Sequence, residues 1–228
     1  MRPRVIGAAL AALVAMTGWA AAQEKRIEID ADIALLSDYI ERGVSQSDED
    51  PAIQGGVILT DKSGFYGGLG VSSLNDVLGN DAELEGYAGY GTQIGAYFVD
   101  VSVGYTGLFG NGNSSGFFEV SGVVNRDFGL ANLTGGLSFA PGGRRLPGTD
   151  NTFYGYLDAD IPVPTVPWLS IALHGGYETG DGQRDRWDWS MGLAAYWKDI
   201  EFGVTYHDTN SGAPNADARA VFSIRLFF

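Results

Sequence analysis

The stretch "ARAVFSIRLFF", residues 218–228, decides how the chain is read. Ala220, Phe222, Ile224, Leu226 and Phe228 take every second position, with Ser223 and Arg225 between them. A period of two puts alternate side chains on opposite faces of an extended strand. The strand therefore has one apolar face and one polar face, and it runs on to an aromatic residue.

Upstream the same alternation recurs along the whole chain. "IEIDADIAL" (27–35) sets Ile27, Ile29, Ala31, Ile33 and Leu35 against Glu28, Asp30 and Asp32. "YFVDVSVGYT" (97–106) sets Tyr97, Val99, Val101, Val103 and Tyr105 against Asp100, Ser102 and Thr106. "WDWSMGLAAYW" (187–197) sets Trp187, Trp189, Met191, Leu193 and Trp197 against Asp188, Ser190 and Tyr196. With the intervening segments this predicts about twelve strands and no helical period.

The connections alternate in length. Short ones fall at 61–64, 92–95, 127–130, 162–167 and 198–200; long polar ones fall at 37–51, 73–81, 109–116, 140–151, 179–186 and 208–218. Short turns at one end, longer loops at the other and an even strand number fit an all-β, transmembrane, antiparallel up-and-down barrel. A soluble β-sandwich shares the period of two. The loop alternation, the aromatics near strand ends (Tyr97, Tyr105, Phe139, Phe153, Trp187, Trp197) and Phe228 favour the barrel. Lipid offers a sheet edge no hydrogen-bond partners, so the last strand is expected to close on the first.

Composition agrees. The 228 residues contain 28 acidic and 14 basic side chains, a net charge of −14, or −16 without Arg2 and Arg4. That balance excludes a nucleic-acid partner, which needs a basic footprint. Cysteine is absent, so no disulfide contributes. Arg2 and Arg4, the apolar run 5–20 and Ala20-Ala21-Ala22 read as a signal peptide over 1–22, leaving a single barrel domain over 23–228. Beyond it no apolar run approaches the ~20 residues of a spanning helix.

The inward face is acidic by parity. Expected pore-lining residues are Asp30, Asp32, Glu85, Asp100, Glu119, Asp158, Asp160 and Asp188, with His174, His207 and Arg225 as the bases; Glu28, Glu83 and Glu201 share the face. Rings of carboxylates attract cations. Inward Gly56, Gly68, Gly70, Ser72, Gly89, Ser102 and Gly104 are expected to leave room in the lumen or to help the sheet bend. No nucleophile elbow is present, both histidines face inward, and no catalytic residue, cofactor or metal is expected. "GGRR" (142–145) is too short for a polybasic site.

Two stretches resemble known proteins. "AVFSIRLFF" resembles the C-terminal β-signal of bacterial outer-membrane proteins, with Phe222, Ile224, Leu226 and Phe228 as its apolar stripe. "LLSDYIERGVSQSDEDPAIQGGV" resembles the N-terminal block of the TorF-like porin family, through Ser37, Asp38, Tyr39, Arg42, Gly43, Ser45, Gln46, Ser47, Pro51, Ala52, Gln54 and Gly55. "GFYGGL" (64–69) and "AELEGYAGYG" (82–91) are similar to its next two blocks, and Glu41 departs where members more often carry an aromatic. The resemblance implies an outer-membrane porin. The expected function is passive diffusion of small hydrophilic solutes, leaning towards cations. The expected partners are outer-membrane lipids and lipopolysaccharide, periplasmic chaperones and the barrel assembly machinery. A closed structural or adhesion-type barrel without channel activity is the alternative.

Overall fold

The computed structural model describes residues 26–110, 115–145, 150–181 and 185–228. The expected signal peptide, 1–22, lies outside them. The strands are β1 (Ile27–Leu36), β2 (Ile40–Glu41), β3 (Val44–Ser45), β4 (Ala52–Asp61), β5 (Phe65–Ser73), β6 (Asn80–Ile94) and β7 (Tyr97–Gly110). They continue with β8 (Ser115–Asp127), β9 (Asn132–Ala140), β10 (Thr152–Pro162), β11 (Leu169–Gly180), β12 (Arg186–Trp197), β13 (Ile200–Thr209) and β14 (Arg219–Phe227). All except β2 and β3 form one closed antiparallel barrel of twelve strands in chain order, in which β1 joins β4 on one side and β14 on the other.

The last strand closes on the first. Ile33, Leu35 and Leu36 of β1 face Leu226, Ile224 and Ser223 of β14. Phe228 and Ala31 exchange backbone hydrogen bonds, the Phe228 N–H donating at 2.9 Å, and the Ser37 N–H reaches the Phe222 carbonyl at 2.8 Å. No barrel strand is left with an open edge. Each barrel strand keeps the face that parity assigns. Ile29, Leu69, Leu137, Leu157, Met191 and Phe222 are all more than half exposed on the outside. The buried side chains include Asp38, Arg42, Glu83, Asp100, Asp158, Glu178, Asp188 and Glu201. A protein with greasy skin and a charged interior has hydrocarbon as its outer solvent.

Aromatic pairs mark both ends of the outer band. Phe65 packs on Tyr90 near the short turns, with ring centroids 4.9 Å apart. Near the long loops Tyr105 packs on Phe118, Phe139 on Phe153 and Tyr177 on Trp187, at 4.4–4.7 Å. Arg126, outward on β8, lays its guanidinium over Tyr97 and Phe128 and donates to the Tyr97 hydroxyl at 2.6 Å. Its stem covers apolar surface while its charge meets the aromatic belt at the membrane boundary. This is a membrane-spanning β-barrel.

Some boundaries move. β6 and β7 run to Ile94 and Tyr97, so the expected four-residue turn shrinks to Gly95-Ala96, with Gly95 at φ +62°. β11 and β12 run beyond Tyr177 and Trp187, to Gly180 and Arg186. The first long loop does not project outward: its residues 38–47 fold inside the barrel.

Candidate functional site

β2 and β3 form a hairpin within that loop. Ile40 pairs with Ser45 and Glu41 with Val44, which leaves Arg42-Gly43 as a two-residue turn. Arg42 has φ +47° and Gly43 φ +77°, the doubly positive pattern of a type I′ turn. A Cβ on Gly43 would stand 2.6 Å from the Cβ of Thr209 and 2.9 Å from that of Asp188, so only glycine fits against the wall. Arginine is unusual in a left-handed position. Its side chain explains its presence: Arg42 is 5% exposed and reaches Glu119 on β8 at 2.7 Å and Glu178 on β11 at 2.8 Å. Its guanidinium also lies 4.1 Å from the ring centre of Tyr154.

The rest of the block holds the hairpin in place. The Ser45 and Ser47 hydroxyls donate to Asp38 Oδ1 at 2.6 and 2.9 Å, and Arg219 pairs with Asp38 Oδ2 at 3.0 Å. Tyr39 donates its hydroxyl to Glu83 at 3.3 Å and packs with Leu36, Ala52, Leu74 and Leu108 in a small buried apolar cluster. The Gln46 N–H reaches the Tyr39 carbonyl, the Asn75 N–H reaches the Gln46 carbonyl, and the Ser45 N–H reaches the Asn215 carbonyl. Ser37 accepts from the Phe222 N–H at 2.9 Å and ties the loop to the seam. Pro51 leads directly into β4.

A second loop joins from the opposite side. Arg144 pairs with Glu41 and with Glu119 (3.0 Å), and Arg145 pairs with Glu41 (2.6 Å) and with Glu83. Arg186 reaches Glu178 at 2.9 Å. Four arginines and four glutamates therefore bridge two loops and four strands in the outer half of the lumen. Burial alone would raise the Glu41 carboxyl, but Arg144, Arg145 and Arg42 outweigh it and hold the group well below the usual carboxylate range. Glu41 thus has its partners in "GGRR", which forms an internal ion-pair site rather than a polybasic one.

Beneath Arg42 lies a second cluster. His174 stands between Asp158 (2.5 Å from Nδ1) and Asp188 (2.9 Å from Nε2), and the Tyr154 hydroxyl touches His174 Nε2 at 2.9 Å. Arg225 pairs with Asp32 at 2.7 Å. His207 faces inward from β13, opposite Ser190 and Arg219. Asp100 takes the Tyr66 hydroxyl at 2.9 Å. Asp30, Glu85, Asp100 and Asp160 have no ion-pair partner among the described residues. The residues expected to line the pore are all on the inward face, but only Glu119 joins the arginine network. Sequence reasoning missed Glu178 and Arg186 because β11 and β12 were ended one residue short of them, and it left Arg219 out although it stands in the last strand on the face of Arg225. It missed Glu41, Arg144 and Arg145 because polar loops were placed outside.

The inward glycines also differ from expectation. Gly68 and Gly89 do not leave open space: the rings of Tyr87 and Tyr66, their cross-strand partners, lie over them. Tyr156 covers Gly136 and Tyr154 covers Gly176 in the same way. These rings coat the wall of the lumen where glycine leaves room for them.

The model of a family described as "Bacterial protein of unknown function (Gcw_chp)" matches residues 20–224. No curated protein sequence matches. Among solved structures the chain is similar to the KdgM porin, with a TM-score of 0.57, 11% identity, and coverage of 88% of this chain and 97% of that one. It is also similar to the NanC porin, with a TM-score of 0.58, 8% identity, and coverage of 88% and 99%. One KdgM structure is described as a complex with disordered oligogalacturonate; it matches with a TM-score of 0.56 at 10% identity over 88% of this chain and 97% of that one. Identities this low speak for a shared barrel fold.

Proposed function

The chain belongs to the Gcw_chp family of bacterial proteins of unknown function, and we propose that it is a narrow outer-membrane channel for small hydrophilic solutes, with a preference for cations. Within that family, the block at 37–55 supports the finer TorF-like assignment.

One observation carries the charge preference. Each described arginine on the lumen side is already engaged by a carboxylate: Arg42, Arg144, Arg145, Arg186, Arg219 and Arg225. The inward carboxylates are not exhausted in return, because Asp30, Glu85, Asp100 and Asp160 keep no cation. The surplus field along the wall is negative, and a low-dielectric wall focuses it on the water path. KdgM has been seen with an oligogalacturonate, a polyanion. Among the described residues a polyanion finds no free arginine here.

The inward hairpin and the Arg144–Arg145 loop support a second reading, a barrel closed at its outer mouth. Planar-bilayer recording separates the two. The expected result is discrete steps and a reversal potential of cation sign under a KCl gradient, weakening at high salt. An anion-selective channel would overturn the charge preference, and a silent membrane would favour the closed barrel.

A further inference from the structure

Arg42 on Tyr154 shows what this wall can hold. Tyr154 lies flat over Gly176, so one ring face is against the sheet and the other is turned to the lumen. A planar organic cation, the Arg42 guanidinium, sits 4.1 Å from the centre of that face and is flanked by Glu119 and Glu178. Aromatic face and carboxylate together make a site for a cation with a carbon body, because the ring quadrupole adds to the Coulomb attraction and accepts apolar surface that water does not favour.

The same construction is repeated further in, without an arginine on it. Tyr156 follows Tyr154 on β10 and lies over Gly136; the His174 ring stands 6.1 Å from it, and Asp158, paired with His174, and then Asp160 follow on the same face. Four strands round the barrel, the hydroxyl ends of Tyr87 and Tyr66 reach over Gly68 and Gly89, and the two rings meet edge to face, their centroids 6.2 Å apart and their planes at 61°. Glu85 precedes Tyr87 on the inward face of β6, and Asp100 holds the Tyr66 hydroxyl through Oδ1. Asp100 is 4% exposed, and its Oδ2 has no hydrogen-bond partner. That Oδ2 lies against the wall at Gly91, so Asp100 adds its charge to the site and not a direct contact.

From this we propose that the lumen below the hairpin binds organic ammonium ions in transit, on the ring faces of Tyr66, Tyr87 and Tyr156 and between the carboxylates of Glu85, Asp100 and Asp160. The proposal deepens the cation-channel function and rests on it. The hairpin's own arginine fills the outermost site of the series, and a passing solute takes the inner ones. An inorganic cation gains only the carboxylates. A neutral sugar gains only the rings and leaves the charge unanswered.

The test uses the full-length barrel in planar bilayers. The KCl reversal potential is measured first, then the potassium current with tetraethylammonium added to one side. Tetraethylammonium is expected to reduce the current in a saturable, voltage-dependent way, while sucrose at equal concentration does not. Tyr66→Leu, Tyr87→Leu and Tyr156→Leu should each raise the half-blocking concentration about fivefold or more. Tyr87→Phe and Tyr156→Phe keep the ring face and should raise the half-blocking concentration far less than the Leu variants, which separates recognition from wall packing. A cation-selective channel blocked equally in the Leu variants, or inhibited equally by sucrose, overturns the inference and leaves the proposed function standing. An anion-selective or silent wild type overturns the proposed function, and the inference falls with it.

Discussion

The Arg42 guanidinium and the Glu178 carboxylate lie 136 residues apart in the chain and 2.8 Å apart in space. The contact runs from the first long loop to the far end of β11, so it fixes the hairpin across the lumen instead of along the wall. Removing one partner of a buried ion pair costs ~3–5 kcal/mol, because the other charge stays buried and unanswered. Arg42→Ala should therefore release the hairpin and raise single-channel conductance while the barrel stays intact. Lysine offers a point charge where a fork spans Glu119 and Glu178, so Arg42→Lys should resemble the alanine variant. Bilayer conductance checks both, and a wild-type conductance in Arg42→Ala would show that the hairpin does not limit flow.

Gly43→Ala should act through the same hairpin by another route. The new Cβ would enter a left-handed turn at φ +77° and meet Thr209 and Asp188. A left-handed non-glycine residue costs roughly 1–2 kcal/mol before any clash. Conductance is expected to rise, and limited proteolysis should newly cut within 37–51.

Acid should not open the outer mouth readily. The Glu41 carboxyl is depressed by its arginines, so its contribution is fully present above the free carboxylate value and is lost only as pH falls through the lower, folded one. The hold of Glu41 on Arg144 and Arg145 should stay level from about pH 7 to about pH 5, outside the titration window of a depressed carboxylate. Glu41→Gln should remove the attraction for Arg144 and Arg145 at every pH in that range and raise conductance at neutral pH. Current traces across the pH series decide it.

Deletion of Phe228 should impair insertion. Phe228 supplies both an outward ring, 73% exposed, and the two backbone hydrogen bonds with Ala31 that extend the β1–β14 seam. The truncated protein is expected to cross the inner membrane normally, engage the assembly machinery poorly and be degraded with periplasmic chaperones bound. Cell fractionation measures this; wild-type outer-membrane levels would count against a β-signal at 222–228.

Processing before Gln23 is expected from Ala20-Ala21-Ala22. Intact mass of protein extracted from the membrane should lack residues 1–22, and a full-length mass would refute cleavage.

The period of two made most of the barrel legible. It placed Asp32 and Arg225 on one side of the sheet, and Ile33 and Leu226 on the other, before any pairing was known. Strand ends were harder, because the pattern loses its apolar half where strands rise out of the membrane. Glu178 and Arg186 continue the parity of β11 and β12 just past the outward pair Tyr177 and Trp187, where the apolar alternation stops. The hairpin was less visible still. Arg-Gly lacks the strong turn preference of Asn-Gly, and Tyr39, Ile40 and Val44 were diluted by the polar residues around them. Long-range partnerships such as Arg145 with Glu83 leave no local periodicity at all.

The wall tyrosines have one more consequence. Gly68, Gly89 and Gly136 carry no side chain, yet each sets how deep a ring can lie in the wall. A methyl group at any of them would lift a tyrosine off the sheet and into the water path, with no change in charge. Calibre is thus set at the glycines, while the carboxylates behind the proposed charge preference stand at other positions of the wall.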